Sequence, residues 1–213
     1  MARRKEKISK PRKPSFAIIV DGETEVWYFL MLKRNEPSLQ VNIEPKIPQK
    51  KKLSEQYEKV CGLAEDYTKV VWVIDLDVLI TESRRAKKGK KTSIQELKEY
   101  LGALEKDHGN VITILNNPCL EFWFLLHFEQ TTKYFRNCSG SEKQLKKHLT
   151  DYEKTRNYFT KQGNDIYLKL KSNLPTAIKN SQRTNRETLD EIERGICEMN
   201  LFFEIEQIKK LID

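Results

Sequence analysis

Five carboxylates stand out by where they fall. Asp21 and Glu25 sit in FAIIVDGETEVWYF (16–29), Asp75 and Asp77 close VVWVIDLD (70–77), and Glu121 interrupts NNPCLEFWFLLHF (116–128). The first four lie where an apolar run stops; the fifth lies inside one. Like charges held close together repel, and a bound cation is the usual remedy. All-oxygen donors suit Mg2+ or Mn2+. If the acids converge, the chemistry they suit is phosphodiester hydrolysis, in which a metal ion offsets charge on the phosphate. In extended chain Asp75 and Asp77 would point to the same side. Other readings stand beside this one. Glu25 and Glu121 suit the first turn of a helix, where the dipole favours an acid, and aspartates at strand ends serve as caps or turns.

A dense basic segment, ESRRAKKGKK (82–91), follows the second acidic site directly. Arg84, Arg85, Lys87, Lys88, Lys90 and Lys91 would hold a nucleic-acid backbone beside the carboxylates. Such a run is also what a solvated loop looks like. The whole chain has 39 Lys and Arg against 31 Asp and Glu, a net charge of +8. That excess points to a polyanionic partner, DNA or RNA, or else to a basic soluble surface.

The elements that must position these groups are legible in outline. Phe16–Val20 reads as a buried strand, followed by a tight turn at Asp21-Gly22 and a helix to about Asn35 with Thr24 as its N-cap. Residues 41–47 alternate apolar and polar around Pro45, which predicts an edge strand. Leu53, Tyr57, Val60, Cys61 and Ala64 predict a helix over 53–66. Val70–Ile74 has the continuous β-branched character of a strand covered on both faces, as in a parallel sheet. A helix over 93–107 and a strand over 111–115 follow. Asn117-Pro118 has the cap-then-proline form of a helix start, and Glu121 in that buried helix needs a partner. His127 reads as a core histidine. Beyond 130 the pattern predicts a loop over TTKYFRNCSGSEK, then helices over 142–149, 158–174 and 185–199.

The domain plan is therefore a basic arm over 1–14, an α/β domain over 15–130 and a helical C-terminal region over 131–213 packed on it. The four cysteines, Cys61, Cys119, Cys138 and Cys197, have no C-x-x-C spacing and read as buried thiols in a reducing compartment rather than zinc ligands. No segment has signal-peptide or membrane-spanning character, so a soluble, cytoplasmic protein with no membrane partner is expected.

Strand–acid–Gly–x–x–Glu–helix followed by strand–Asp–x–Asp resembles a Toprim domain, the metal-binding module of topoisomerases, primases and overcoming-lysogenization-defect nucleases. The longer series IIVDGETEVWYF, VVWVIDLD and NNPCLEFWFLLHF, with KQLKKHL beyond, resembles the RloB-like family of bacterial proteins, found near restriction–modification and other phage-defence genes. The resemblance implies a Rossmann-like α/β fold with a mostly parallel sheet flanked by helices and a C-terminal helical appendage. It also implies a metal-dependent nuclease. Asp21, Glu25, Asp75 and Asp77 would be catalytic, and Asp21, Asp75, Asp77 and Glu121 would be ligands to Mg2+ or Mn2+. Nucleic acid would be the main partner, with other defence proteins or a second copy of the chain as further candidates. The alternative is a non-catalytic nucleic-acid-binding or effector subunit. The family has Glu-Gly where this chain has Asp21-Gly22. The shorter side chain retracts the carboxylate by about an ångström. Glu23 or Glu25 then compensates, or the metal sits deeper, or the site binds without cleaving.

Overall fold

A computed structural model describes residues 14–39, 41–47, 52–190 and 192–210. The expected basic arm, apart from Pro14, lies outside the described residues. Five strands form one sheet in the order β2-β1-β3-β4-β5. These are β1 (Ser15–Ile19), β2 (Asn42–Lys46), β3 (Lys69–Asp75), β4 (Val111–Asn117) and β5 (Ile196–Cys197). The first four are mutually parallel, and β5 pairs antiparallel to β4 through Asn116↔Cys197 and Asn117↔Ile196. Pro45 lies on the edge strand β2, where a missing N–H costs least.

The alternation of β1 separates two cores. Phe16, Ile18 and Val20 face one side with Val71, Val73 and Ile114. Ala17 and Ile19 face the other with Trp72, Ile74 and Leu115. The second side is covered by α2 (Leu53–Asp66), α3 (Leu76–Arg85) and α4 (Ser93–Asp107). The first is covered by α1 (Glu23–Asn35), α5 (Leu120–Leu125) and the C-terminal helices. These are α6 (Cys138–Leu145), α7 (Arg156–Thr160), α8 (Ile166–Lys171), α9 (Leu174–Gln182), α10 (Asn200–Phe203) and α11 (Glu206–Lys209). A sheet with both faces covered explains why the central strands β1 and β3 run apolar from Phe16 to Ile19 and from Val70 to Ile74. The aromatic core on the first side joins Tyr28 and Phe29 of α1 to Phe124 of α5, Phe159, Tyr167 and Phe202, so residues beyond 130 share one core with the sheet.

Several local expectations change. The first helix is capped at Gly22, and Thr24 lies in its first turn. The helix over 93–107 holds, with a capping box between Thr92 and Gln95. The loop expected over 131–143 gives way to α6 from Cys138. The helix expected over 158–174 is broken into α7 and α8, with Gly163 between them at φ 72°, a conformation glycine adopts without penalty. The helix expected over 185–199 is absent among the described residues. There the chain bends at Glu193 and Arg194 and supplies β5, and Asn117 Nδ2 anchors the approach to it by donating to Ile192 O and Arg194 O. Among the described residues no helix is long and apolar enough to cross a membrane.

Candidate metal centre

Parallel strands deliver their carboxyl ends to one edge of the sheet, where ligands of open α/β folds collect. Asp21 follows β1 there. Its Oδ2 accepts from the backbone N–H of Asp75 at 3.0 Å, and its Oδ1 accepts from Gln56 Nε2 at 3.0 Å. Gln56, on α2, is itself fixed by Trp72 Nε1 at 2.9 Å. Asp21 therefore ties the tip of β1 to that of β3.

Glu25 is buried in the first turn of α1 and accepts from Thr24 Oγ1 at 3.0 Å. A Cβ on Gly22 would stand 3.0 Å from Glu25 Oε2, so glycine lets the turn pass close to that carboxylate. Asp75 ends β3 on the face of Val71 and Val73, toward α1 and α5. Its Oδ1 is buried and has no hydrogen-bond partner among the described residues. Beside it in register stands Asn116, fully buried, with both amide atoms equally unpartnered.

Asp77 does not extend β3. The chain turns helical at Leu76, because Leu76 and Ile80 pack into the second core at helical spacing. Asp77 lies in the first turn of α3, where the dipole favours an acid. Two clefts meet at the shared wall of Asp21 and Asp75. One, of about 350 Å³, is lined by Glu25, Trp27 and Lys154; the other, of about 230 Å³, by Gln56, Asp77, Val78 and Leu79.

Glu121 joins from α5. The helix does not start at Asn117-Pro118: Asn117 ends β4, its amide is spent on the 192 and 194 carbonyls, and Cys119 is the N-cap. The buried Glu121 has the partners its position demands. Its Oε1 accepts from Tyr152 Oη at 3.0 Å and pairs with Lys154 Nζ at 2.7 Å. Lys154 reaches from the surface into the cleft. Nothing in DYEKTRNY distinguishes it from other lysines, so sequence reasoning passed it over, as it did Gln56 and Asn116.

The electrostatics are those of crowded acids. Burial pushes the Asp75 carboxyl well above the usual range, and Glu25, Asp21, Glu121 and Asp77 push it further. Burial raises Glu25 as well, with Glu121 and Asp21 adding to it against its backbone and Thr24 hydrogen bonds. Burial also raises Asp77, against backbone hydrogen bonds and Lys154. For Lys154 burial acts downward, but Glu121, Glu25 and Asp75 outweigh it and hold the ammonium above its ordinary value. An orphaned carboxylate oxygen among raised acids fits an oxygen-preferring cation.

The basic segment lines neither cleft. Arg84 and Arg85 form the last turn of α3, and Arg84 is about 10 Å from Asp77 along the helix axis. Arg84 pairs with Glu193 at 3.1 Å and Lys91 pairs with Glu99, while Lys87, Lys88 and Lys90 are exposed. Among the described residues, the cation that lines the site is Lys154. The cysteines also differ from expectation: Cys119 and Cys138 form a disulfide beside the acids, and Cys61 and Cys197 are free.

The family model described as RloB-like protein matches residues 16–206. No curated protein and no solved structure matches the chain.

Proposed function

The chain belongs to the RloB-like family, and on that premise we propose that it is a metal-dependent nuclease of Toprim type, hydrolysing phosphodiester bonds of DNA or RNA in bacterial phage defence. The observation that carries this is the meeting of Asp21, Glu25, Asp75 and Glu121 around the unpartnered Asp75 Oδ1. Asp75 would hold Mg2+ or Mn2+, with Asp77 reaching the same wall from the second cleft. The ion would supply Lewis acidity toward the phosphate and a polarised water.

The protein's own groups do the rest. Asp21, held by the Asp75 N–H and Gln56, keeps the strand tips in register and adds negative charge facing the ion. Glu25, kept protonatable by burial, is suited to take a proton from the attacking water. Lys154 neutralises Glu121 and faces the open cleft, where it would meet a phosphate oxygen. Trp27, lining the same cleft, offers a ring to a nucleobase. Arg84, Arg85, Lys87, Lys88, Lys90 and Lys91 would bind backbone away from the reacting phosphate, supplying affinity without sequence information.

A second reading, a nucleic-acid-binding or effector subunit that does not cleave, draws on one observation. The Asp75 N–H and Gln56 Nε2 both donate to Asp21 and tie up its oxygens in the scaffold, where the family has a longer acid. One assay separates the two. Labelled DNA and RNA are incubated with the protein in Mg2+, Mn2+ or EDTA, beside an Asp75→Ala/Asp77→Ala variant. Metal-dependent cleavage that the variant loses supports the nuclease. Salt-sensitive binding without cleavage, equal in both proteins, establishes the second reading.

A further inference from the structure

The most unusual chemistry left unused is the cysteine pair. Cys119 caps α5 and Cys138 opens α6, and their Cα atoms are 5.7 Å apart. One carboxylate oxygen of Asp75 and the two sulfurs all lie within 4.8 Å of one another. Donors around a tetrahedral zinc ion stand about 3.3–3.8 Å apart, given Zn–S near 2.3 Å and Zn–O near 2.1 Å. A second observation points the same way: Asp75 Oδ1 is buried and unpartnered. Glu121 Oε2 lies 3.0 Å from Cys119 Sγ, while its other oxygen serves Tyr152 and Lys154.

We propose that Cys119, Cys138 and Asp75 form a thiophilic metal site, selective for Zn2+ over Mg2+, that exists in the dithiol form of the protein. Sulfur ligands confer that selectivity, since thiolates bind Zn2+ strongly and Mg2+ hardly at all. With the disulfide intact the sulfurs carry no charge to offer. A dithiol or phosphine reductant supplies two electrons and is itself oxidised. The S–S bond breaks and two protons complete two thiols; a dithiol gives them up as it closes its own disulfide, and with a phosphine they come from the water whose oxygen ends in the phosphine oxide. Metal binding then releases both thiol protons to solvent. Three protein ligands leave a fourth position for water or Glu121. The reading goes beyond the nuclease proposal and does not require it, although the two sites share Asp75.

The test uses Co2+ as a visible substitute for Zn2+ on the full chain, without nucleic acid or Mg2+. Reduced protein, shown by thiol counting to have all 4 cysteines free, should bind one Co2+. It should show sulfur-to-cobalt charge-transfer absorption with tetrahedral ligand-field bands, and Zn2+ should bleach both. Oxidised protein should show neither, which supplies a control without any substitution. Cys119→Ser and Cys138→Ser should lose the charge-transfer band, Cys61→Ser should keep it, and Asp75→Asn should weaken Co2+ binding about tenfold or more. No band in fully reduced wild type overturns the proposal; so does a band that survives Cys119→Ser or disappears in Cys61→Ser. Mg2+-dependent cleavage measured on the same reduced sample reports on the nuclease reading separately.

Discussion

Replacing Asp75 with Asn removes from the meeting point of five carboxylates a group that burial and its neighbours make costly to ionise, and keeps the side-chain volume. Its side chain makes no cap hydrogen bond to α3, and the contact with Asp21 uses its backbone N–H, so neither is lost. In the metal-free protein the variant should melt higher than wild type, because the folding cost of a carboxyl held above its ordinary range by burial and by Glu25, Asp21, Glu121 and Asp77 is gone. Wild type should respond to Mg2+ instead. A ligand at a hundredfold its Kd stabilises by about 2.7 kcal/mol. For 213 residues the unfolding entropy is roughly 0.45 kcal/mol/K, from about 2.1 cal/mol/K per residue. The expected rise in Tm is therefore about 6 °C, against less than about 1 °C in the variant. Thermal melts followed by circular dichroism, in EDTA and across a Mg2+ titration, measure both. A variant that keeps the wild-type Mg2+ response, or that melts lower than wild type in EDTA, refutes the assignment of Asp75 as a ligand.

Acidity offers a related check. Folding raises Asp75, Glu25 and Asp77, so their ionisation destabilises the metal-free fold as pH rises from the ordinary carboxylate range through their raised values. Mg2+ relieves that cost, and the Tm gained with Mg2+ over EDTA should grow from about pH 5 to about pH 8. His127, whose pKa burial lowers to about 4, loses stability below its ordinary value in both conditions, so it drops out of the difference. A flat difference would contradict the site's electrostatics. Gly22→Ala should push Glu25 Oε2 aside and lower metal-dependent cleavage about a hundredfold, while Tm moves by less than about 3 °C; full activity in this variant would remove Glu25 from the reacting centre. At Gly195 an added Cβ would overlap the Phe122 ring and stand 2.9 Å from Lys133 O. Gly195→Ala should therefore cost about 1–3 kcal/mol, read as a lower midpoint in urea with an unchanged slope.

Much of this molecule was legible because its signals are local. Continuous apolar runs ending in acids announced β1 and β3, and helical spacing announced α2 and α4 at their observed bounds. Where local preference competed with packing, packing prevailed. Leu189, Ile192 and Ile196 have helical spacing, yet all three pack into the second core from a bent, non-helical chain whose end, at Ile196, pairs with β4. Asn117-Pro118 looks like a cap, but the amide serves the 192 and 194 carbonyls instead. Asp77 looked like the partner of Asp75 along a strand, and a helix start placed it in the second cleft.

That acids would end buried strands follows from local order along the chain, because a run such as VVWVI must go inside and a carboxylate at its end must stop there. Which acids meet, and what answers them, depends on how the elements pack. Glu121 arrives beside Glu25 and Asp75 because α1 and α5 cover the same face of the sheet. Lys154, 33 positions beyond Glu121 and one lysine among many, reaches into the cleft because Tyr152 packs into the aromatic core and donates to Glu121. Cys119 and Cys138, with nothing in their spacing to join them, come together because α6 packs on α5. Such partners are set by folding topology, which brings distant positions together without leaving a pattern along the chain.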